Sequence, residues 1–282
     1  MPLPLAALLP LLAQIGPTGT QIQAPLEMPK HKSVLVQPVT PPSPAATRLN
    51  ECLTLARNEP TAAVDVAEAW RNSLKGSQRA APGHCLGLAL TGLARWNDAE
   101  AAFTAARDDT PANERADRAR LGAMAANAAL VEGGPDRALA LLDTAHGEAL
   151  GAGDAHLAAE VAIDRARALV ALKRDNEAAA ALTEARAGAP ENAVGWLLSA
   201  TLLRRQGKLG EAQGYIEKAA AITPLDPEVG LEAGVIAVLG GRDAAARRSW
   251  QSVIAAAPGS DSAKTAKQYL DQLGPDAAPS SR

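Results

Sequence analysis

Apolar residues recur along this chain at the three-and-four spacing of a helix, and the stripes themselves return every 34 residues. In residues 193–226, Trp196, Leu197, Ala200, Leu202 and Leu203 make one apolar stripe; Leu209, Ala212, Ile216, Ala219 and Ala220 make a second. Gly207 divides the two, since glycine takes the left-handed conformation at little cost. Pro224 and Asp226-Pro227 close the second, because proline cannot continue a helix and restricts the residue before it. Ala178, Ala212 and Ala246 keep the step of 34, as do Pro190, Pro224 and Pro258, and Leu182, Ile216 and Trp250. Two short helices cannot bury an apolar face alone, so such hairpins must stack on one another. The pattern predicts an all-α fold of stacked antiparallel helix hairpins.

The units resemble tetratricopeptide repeats, a family that favours Trp, Leu, Gly, Tyr, Ala, Phe, Ala and Pro in that order. Residues 80–113 supply Leu86, Gly87, Leu90, Ala99, Phe103, Ala106 and Pro111 at the matching places. Residues 193–226 supply Trp196, Ala200, Leu203, Ala212, Ile216, Ala219 and Pro224, with Ser199 departing; residues 227–260 supply Gly234, Ala246, Trp250 and Pro258. Residues 159–192 give Ala166, Leu169, Ala178, Leu182, Ala185 and Pro190, and residues 119–152 give Ala126, Ala138, Leu142 and Ala145 without the proline. The resemblance implies a right-handed α-solenoid of about five units over residues 80–260. A degenerate hairpin at 47–75 precedes them, and a capping helix at 262–273 follows. The solenoid is therefore expected over residues 47–273. Between Ala99 and Ala178 the period stretches to 39 and then 40 residues, so the joints at 108–118 and 147–154 are expected to lengthen, with longer helices beside them.

The resemblance also implies that particular first-helix positions line a concave groove. Carried over, these include His84, Asn127, Ile163, Arg167, Leu197, Arg204, Arg205, Leu231 and Val235. Repeats of the family that clamp a C-terminal carboxylate place a lysine and an asparagine in the groove; Asn127 matches the second and nothing matches the first. An apolar floor with a few arginines suits an amphipathic helix or an extended acidic peptide. The bland alternative is that the apolar positions pack between helices and the arginines form a solvated edge.

Upstream of the repeats the character changes. Residues 1–15 are leucine- and alanine-rich but too short to span a bilayer, which needs roughly 20 residues. They resemble the core of a secretory signal peptide with Ala13 as the cleavage point, although no Lys or Arg precedes the apolar run. Their alternative role is an apolar segment docked on the solenoid. Residues 16–46 carry seven prolines and form a linker, in which 33–39 contains the short apolar run Val34, Leu35 and Val36. Residues 274–282 form a disordered tail.

Composition narrows the function. The 282 residues carry a net charge of −3, with 21% charged and 2% aromatic side chains. That balance offers no general basic surface for nucleic acid. The histidines stand apart from one another, and no phosphate loop, nucleophile elbow or zinc-protease motif occurs. No catalytic residue, cofactor site or metal site is expected. Cys52 and Cys85, 33 residues apart on neighbouring first helices, are either two small core residues or, in an exported chain, a disulfide. The expected role is a non-catalytic protein- or peptide-binding scaffold, periplasmic or secreted if residues 1–15 act as a signal and cytoplasmic otherwise. Monomer is the expected state, with a self-associating structural solenoid as the alternative.

Overall fold

The computed structural model describes residues 43–274; the signal-like start, the linker to Pro42 and the tail after Gly274 lie outside them. The described residues form helical hairpins in series. They are α1 (Pro44–Asn58) with α2 (Pro60–Asn72), α3 (Ala80–Gly92) with α4 (Trp96–Asp109), and α5 (Arg115–Val131) with α6 (Pro135–Gly151). Then follow α7 (Ala155–Ala171) with α8 (Asp175–Gly188), α9 (Ala193–Arg205) with α10 (Leu209–Ile222), and α11 (Pro227–Leu239) with α12 (Asp243–Ala256). A single helix, α13 (Asp261–Leu273), closes the series, and a 3-10 turn at Gly76–Arg79 leads from α2 into α3. Helices from α3 onward pack mainly on their sequence neighbours, which is the pattern of a solenoid, while α1 packs more on α3 than on α2.

Local sequence explains the ends of the helices. Ser43 caps α1 by accepting from the Ala46 amide at 3.2 Å, and Pro44 occupies the first turn, where its missing N–H costs nothing. The helix therefore begins inside the stretch expected to be linker. Asp226 and Ser260 cap α11 and α13 in the same manner as Ser43. Gly207 turns α9 into α10 at φ +75°, as expected; at the equivalent place between α7 and α8, Lys173 takes φ +60° without glycine's freedom. Asp98, Glu177 and Glu211 stand in the first turns of α4, α8 and α10, where the helix dipole favours a negative charge.

The stretched period near the middle has a clear destination. Helices α5, α6 and α7 are each 17 residues long, against 13 or 14 for α8 to α12. Most of 108–118 and 147–154 is thus helix, and the connecting joints stay short. Extra residues placed in helix satisfy their own backbone hydrogen bonds, which a longer loop would leave to water.

The core is laid down in successive clusters rather than one mass. Within each hairpin from α3 to α12 the facing residues follow a size rule. Where the second helix carries a ring, at Phe103 or Trp250, the first helix carries Gly87 or Gly234. Where the second helix carries Leu142, Leu182 or Ile216, the first carries Ala126, Ala166 or Ala200, all buried. A Cβ on Gly87 would lie 2.5 Å from the Phe103 ring, and one on Gly234 would overlap Trp250, whose Nε1 donates to the Leu231 carbonyl at 3.1 Å. At the far end Ala263 and Ala266 of α13 are buried, and Tyr269 lies against Trp250 with ring centroids 5.2 Å apart. Lys264, Lys267 and Gln268 stay exposed, so α13 presents water with a polar face.

The size rule makes a prediction. Gly87→Ala is expected to destabilise the chain by about 1–3 kcal/mol through overpacking against Phe103. Phe103→Leu alone leaves a cavity, yet combined with Gly87→Ala it should restore part of the loss. Urea unfolding of the two single variants and the double variant measures the coupling. Strictly additive losses would contradict the rule.

Candidate functional site

The first helices α1, α3, α5, α7, α9 and α11 share one side of the solenoid, and the surface hollows of interest lie there. Along this side α5 packs on α7 and α9 on α11, whereas α3 and α5 barely touch. A cleft of about 710 Å³ opens between α1, α3 and α5. A second hollow of about 420 Å³ lies between α5, α7 and the start of α9. Arg120 and Met124 line both, so the two hollows adjoin at α5.

The walls of the larger cleft are fastened from behind. Arg118 donates to the carbonyls of Arg107 and Thr110 at 3.0 and 3.1 Å and to Glu148 at 2.9 Å. Arg107 reaches the same Glu148 at 3.0 Å, and that hydrogen bond raises the guanidinium pKa above its ordinary value. These half-buried groups lock the joint between α4 and α5 onto α6, and so fix where α5 begins. On the other wall the sulfurs of Cys52 and Cys85 are bonded, with Cα atoms 5.9 Å apart, joining α1 to α3. Both cysteines are buried. In the chain-entropy model a bond closing a loop of this size contributes about 3–4 kcal/mol.

Leu49, Trp70, Leu74, Leu121 and Met124 supply the apolar lining of this cleft. The Arg48 guanidinium lies 4.5 Å over the Trp70 ring, a cation–π contact at the α1 lip. His84 faces the cleft from α3, with its ring 6.2 Å from that of Phe103. Burial pushes the His84 imidazole below its usual pKa, and the charge of Asp117 offsets part of that effect.

The residues expected to line one groove are distributed over several places. Asn127, Ile163 and Arg167 do meet at the smaller hollow. There Asn127 donates to Asp164 at 2.9 Å and Arg167 to the same carboxylate at 2.5 Å. Ile163 and Leu197 are 4% and 8% exposed and belong to the core, because neighbouring first helices close over them. Arg204 donates to Glu232 of the next hairpin at 2.6 Å, while Arg205 is exposed. Leu231 and Val235 pack against the Trp250 cluster, and Val235 borders a separate hollow beside Tyr269. His84 alone of the set stands in the larger cleft.

Sequence reasoning missed Arg48, Trp70, Leu74, Asp117 and Met124. The first three come from the degenerate hairpin and the turn after it, where their apolar or basic character looked like ordinary packing and solvation. Among the described residues no three metal-ligating side chains converge. His146 pairs with Glu184 at 2.5 Å, and His156 lies 3.2 Å from Glu191.

No protein-family model matches the chain, and no curated protein matches it. Solved structures do. A type IV pilus biogenesis factor, PilW, is similar over 79% of this chain and 98% of its own, at 17% identity and a TM-score of 0.63. BtubC (BKLC) from P. vanneervenii is similar over 84% and 94%, at 17% identity and a TM-score of 0.53. A thermophilic tetratricopeptide-repeat protein of Thermus thermophilus is similar over 68% and 96%, at 18% identity and a TM-score of 0.52. At such identities the likeness speaks for fold: the chain is an all-α solenoid of the tetratricopeptide-repeat kind. No described helix is long and apolar enough to cross a membrane.

His84 sets a pH dependence whose sign follows from its burial. Because its folded pKa is lowered, the unfolded chain takes up a proton first as pH falls through the ordinary histidine range near 6.5. Above that range both states are neutral at this site and it contributes nothing to the slope. The melting temperature is therefore expected to fall between pH 7 and pH 5, and less steeply in His84→Gln. Equal slopes for parent and variant would remove His84 as a cause.

Proposed function

We propose that this tetratricopeptide-repeat solenoid is a non-catalytic scaffold or adaptor that holds a protein or peptide on its first-helix face. The observation that carries the reading is the pair of adjoining hollows between α1 and the start of α9, each with apolar lining and charged groups at its edge. Amphipathic segments bind in such grooves by burying an apolar face and fixing register with polar contacts at the edge. Arg167 and Arg204 each hold a carboxylate of this chain, so a partner's acidic group would compete with an existing pair. Asn127, Arg167 and His84 stay in the proposed contact as rim and wall groups. Ile163, Leu197, Leu231 and Val235 act chiefly by shaping the helices beneath, and Arg205 remains available to solvent or to a partner.

The setting we propose is the bacterial cell envelope. It rests on the signal-like residues 1–15 and on the Cys52–Cys85 bond, which an oxidising compartment would keep. Intact-mass analysis of protein from its native cell is expected to show loss of the segment up to Ala13, and thiol counting under denaturing conditions to find none free. A chain with residues 1–15 retained and two free thiols would be cytosolic.

The scaffold reading is tested by a photo-crosslinking amino acid placed at Met124, in the cleft, and separately at Ala179, exposed on α8. Adducts with a different polypeptide are expected from Met124 and none from Ala179. Adducts of twice the chain's own mass would favour the alternative, a self-associating structural solenoid. Adducts from Ala179 alone would move the binding face to the second helices.

A further inference from the structure

We infer that the cleft between α1, α3 and α5 takes a cationic amphipathic helix of a partner protein. Its apolar face would lie on Leu49, Leu74 and Met124, and its lysine or arginine side chains along α5 and α7. The inference rests on the scaffold reading and names the chemistry of the partner. It runs opposite to the acidic peptide that the arginine positions suggest in sequence.

Charge placement decides the sign. Along α5 and α7 the two hollows are lined by Glu114, Asp117, Glu160 and Asp164, against Arg120 and Arg167. Both guanidiniums are already engaged: Arg120 lies 3.0 Å from Asp117 and 3.5 Å from Asp154, and Arg167 lies 2.5 Å from Asp164. Glu114 forms no ion pair among the described residues. Glu160 has only His156, at 3.7 Å, which carries charge only when protonated. A carboxylate arriving at this lip would meet surplus negative charge and would have to displace an existing pair. A cation arriving there meets unspent carboxylates and breaks nothing.

The opposite lip fixes the orientation. Arg48 covers Trp70 from α1, so the cationic flank of the occupant is turned away from α1 and towards α5. The floor between the lips is apolar, and a cleft of about 710 Å³ is of the size that binds ligands by burying apolar groups. The disulfide and the Arg118–Glu148 clamp hold the two lips at a set separation without a ligand, so little ordering is left for binding to impose.

The test uses two fluorescent helical peptides with leucine on one face and either lysine or glutamate on the other. Each is titrated by anisotropy into the full, disulfide-bonded chain. The leucine–lysine peptide is expected to bind at least tenfold more tightly than the leucine–glutamate peptide, and to weaken with added salt, since exposed charges are screened within about 8–10 Å at ordinary ionic strength. The pair Glu114→Lys and Asp117→Lys should weaken it about tenfold, and the milder pair Glu114→Gln and Asp117→Asn should weaken it less at an unchanged melting temperature. The pair Glu68→Lys and Glu217→Lys changes net charge equally on exposed sites of α2 and α10, and should leave binding as it was. Equal or tighter binding of the glutamate peptide overturns the inference, as does equal weakening by the α2 and α10 pair. If neither peptide binds while Met124 still crosslinks to another protein, the partner's chemistry is wrong and the scaffold reading stands. If both measurements fail, the cleft reading falls with it.

Discussion

Close approach of paired helices is the constraint on which the rest of this structure depends. A hairpin of two helices of 13 or 14 residues has too little apolar surface to bury by itself, so stability comes from stacking. Stacking in turn needs helix axes near enough for alanine and leucine to fill the space. The chain meets that need by matching volumes at each crossing, glycine against Phe103 or Trp250 and alanine against Leu142, Leu182 or Ile216. Few aromatic side chains are required, because small residues already bring the backbones together.

Departures from the regular repeat are what create the candidate site. Here the extra residues lengthen α5, α6 and α7, and the Arg107–Glu148–Arg118 set anchors the start of α5 away from α3. The degenerate first hairpin and the turn after it add Trp70 and Leu74 to the lining, and Cys52–Cys85 ties that hairpin to the first full unit. The least regular part of the solenoid is therefore the part with an open, apolar, pre-shaped cleft.

Electrostatics then separates the residues that can act from those already committed. Arginines on the first helices reach carboxylates within the solenoid: Arg120 to Asp117 and Asp154, Arg167 to Asp164, Arg204 to Glu232. An exposed pair such as Arg120–Asp117 adds little to stability, typically below about 1 kcal/mol. Such pairs matter more for recognition, because they decide which sign of charge the cleft still offers.

Periodicity alone determined the helical hairpins, the turn at Gly207 and the small residues at their crossings. Those features are local: a helix face is written in residues three and four apart, and a repeat makes the same statement several times over. The start of α1 at Pro44 escaped because a serine cap and a first-turn proline resemble the linker before them. What only the tertiary structure decided is which side chains are spent and which are open. Ile163 and Leu197 occupy groove positions by register and yet are buried, since the next hairpin closes over them. Asn127 finds Asp164 and Arg204 finds Glu232 only because successive hairpins bring residues 37 and 28 positions apart into hydrogen-bond range. A repeat pattern specifies how one unit folds, but the residue that neutralises a charge or floors a cleft is set by the angle and spacing between units, and those arise from packing across the whole stack.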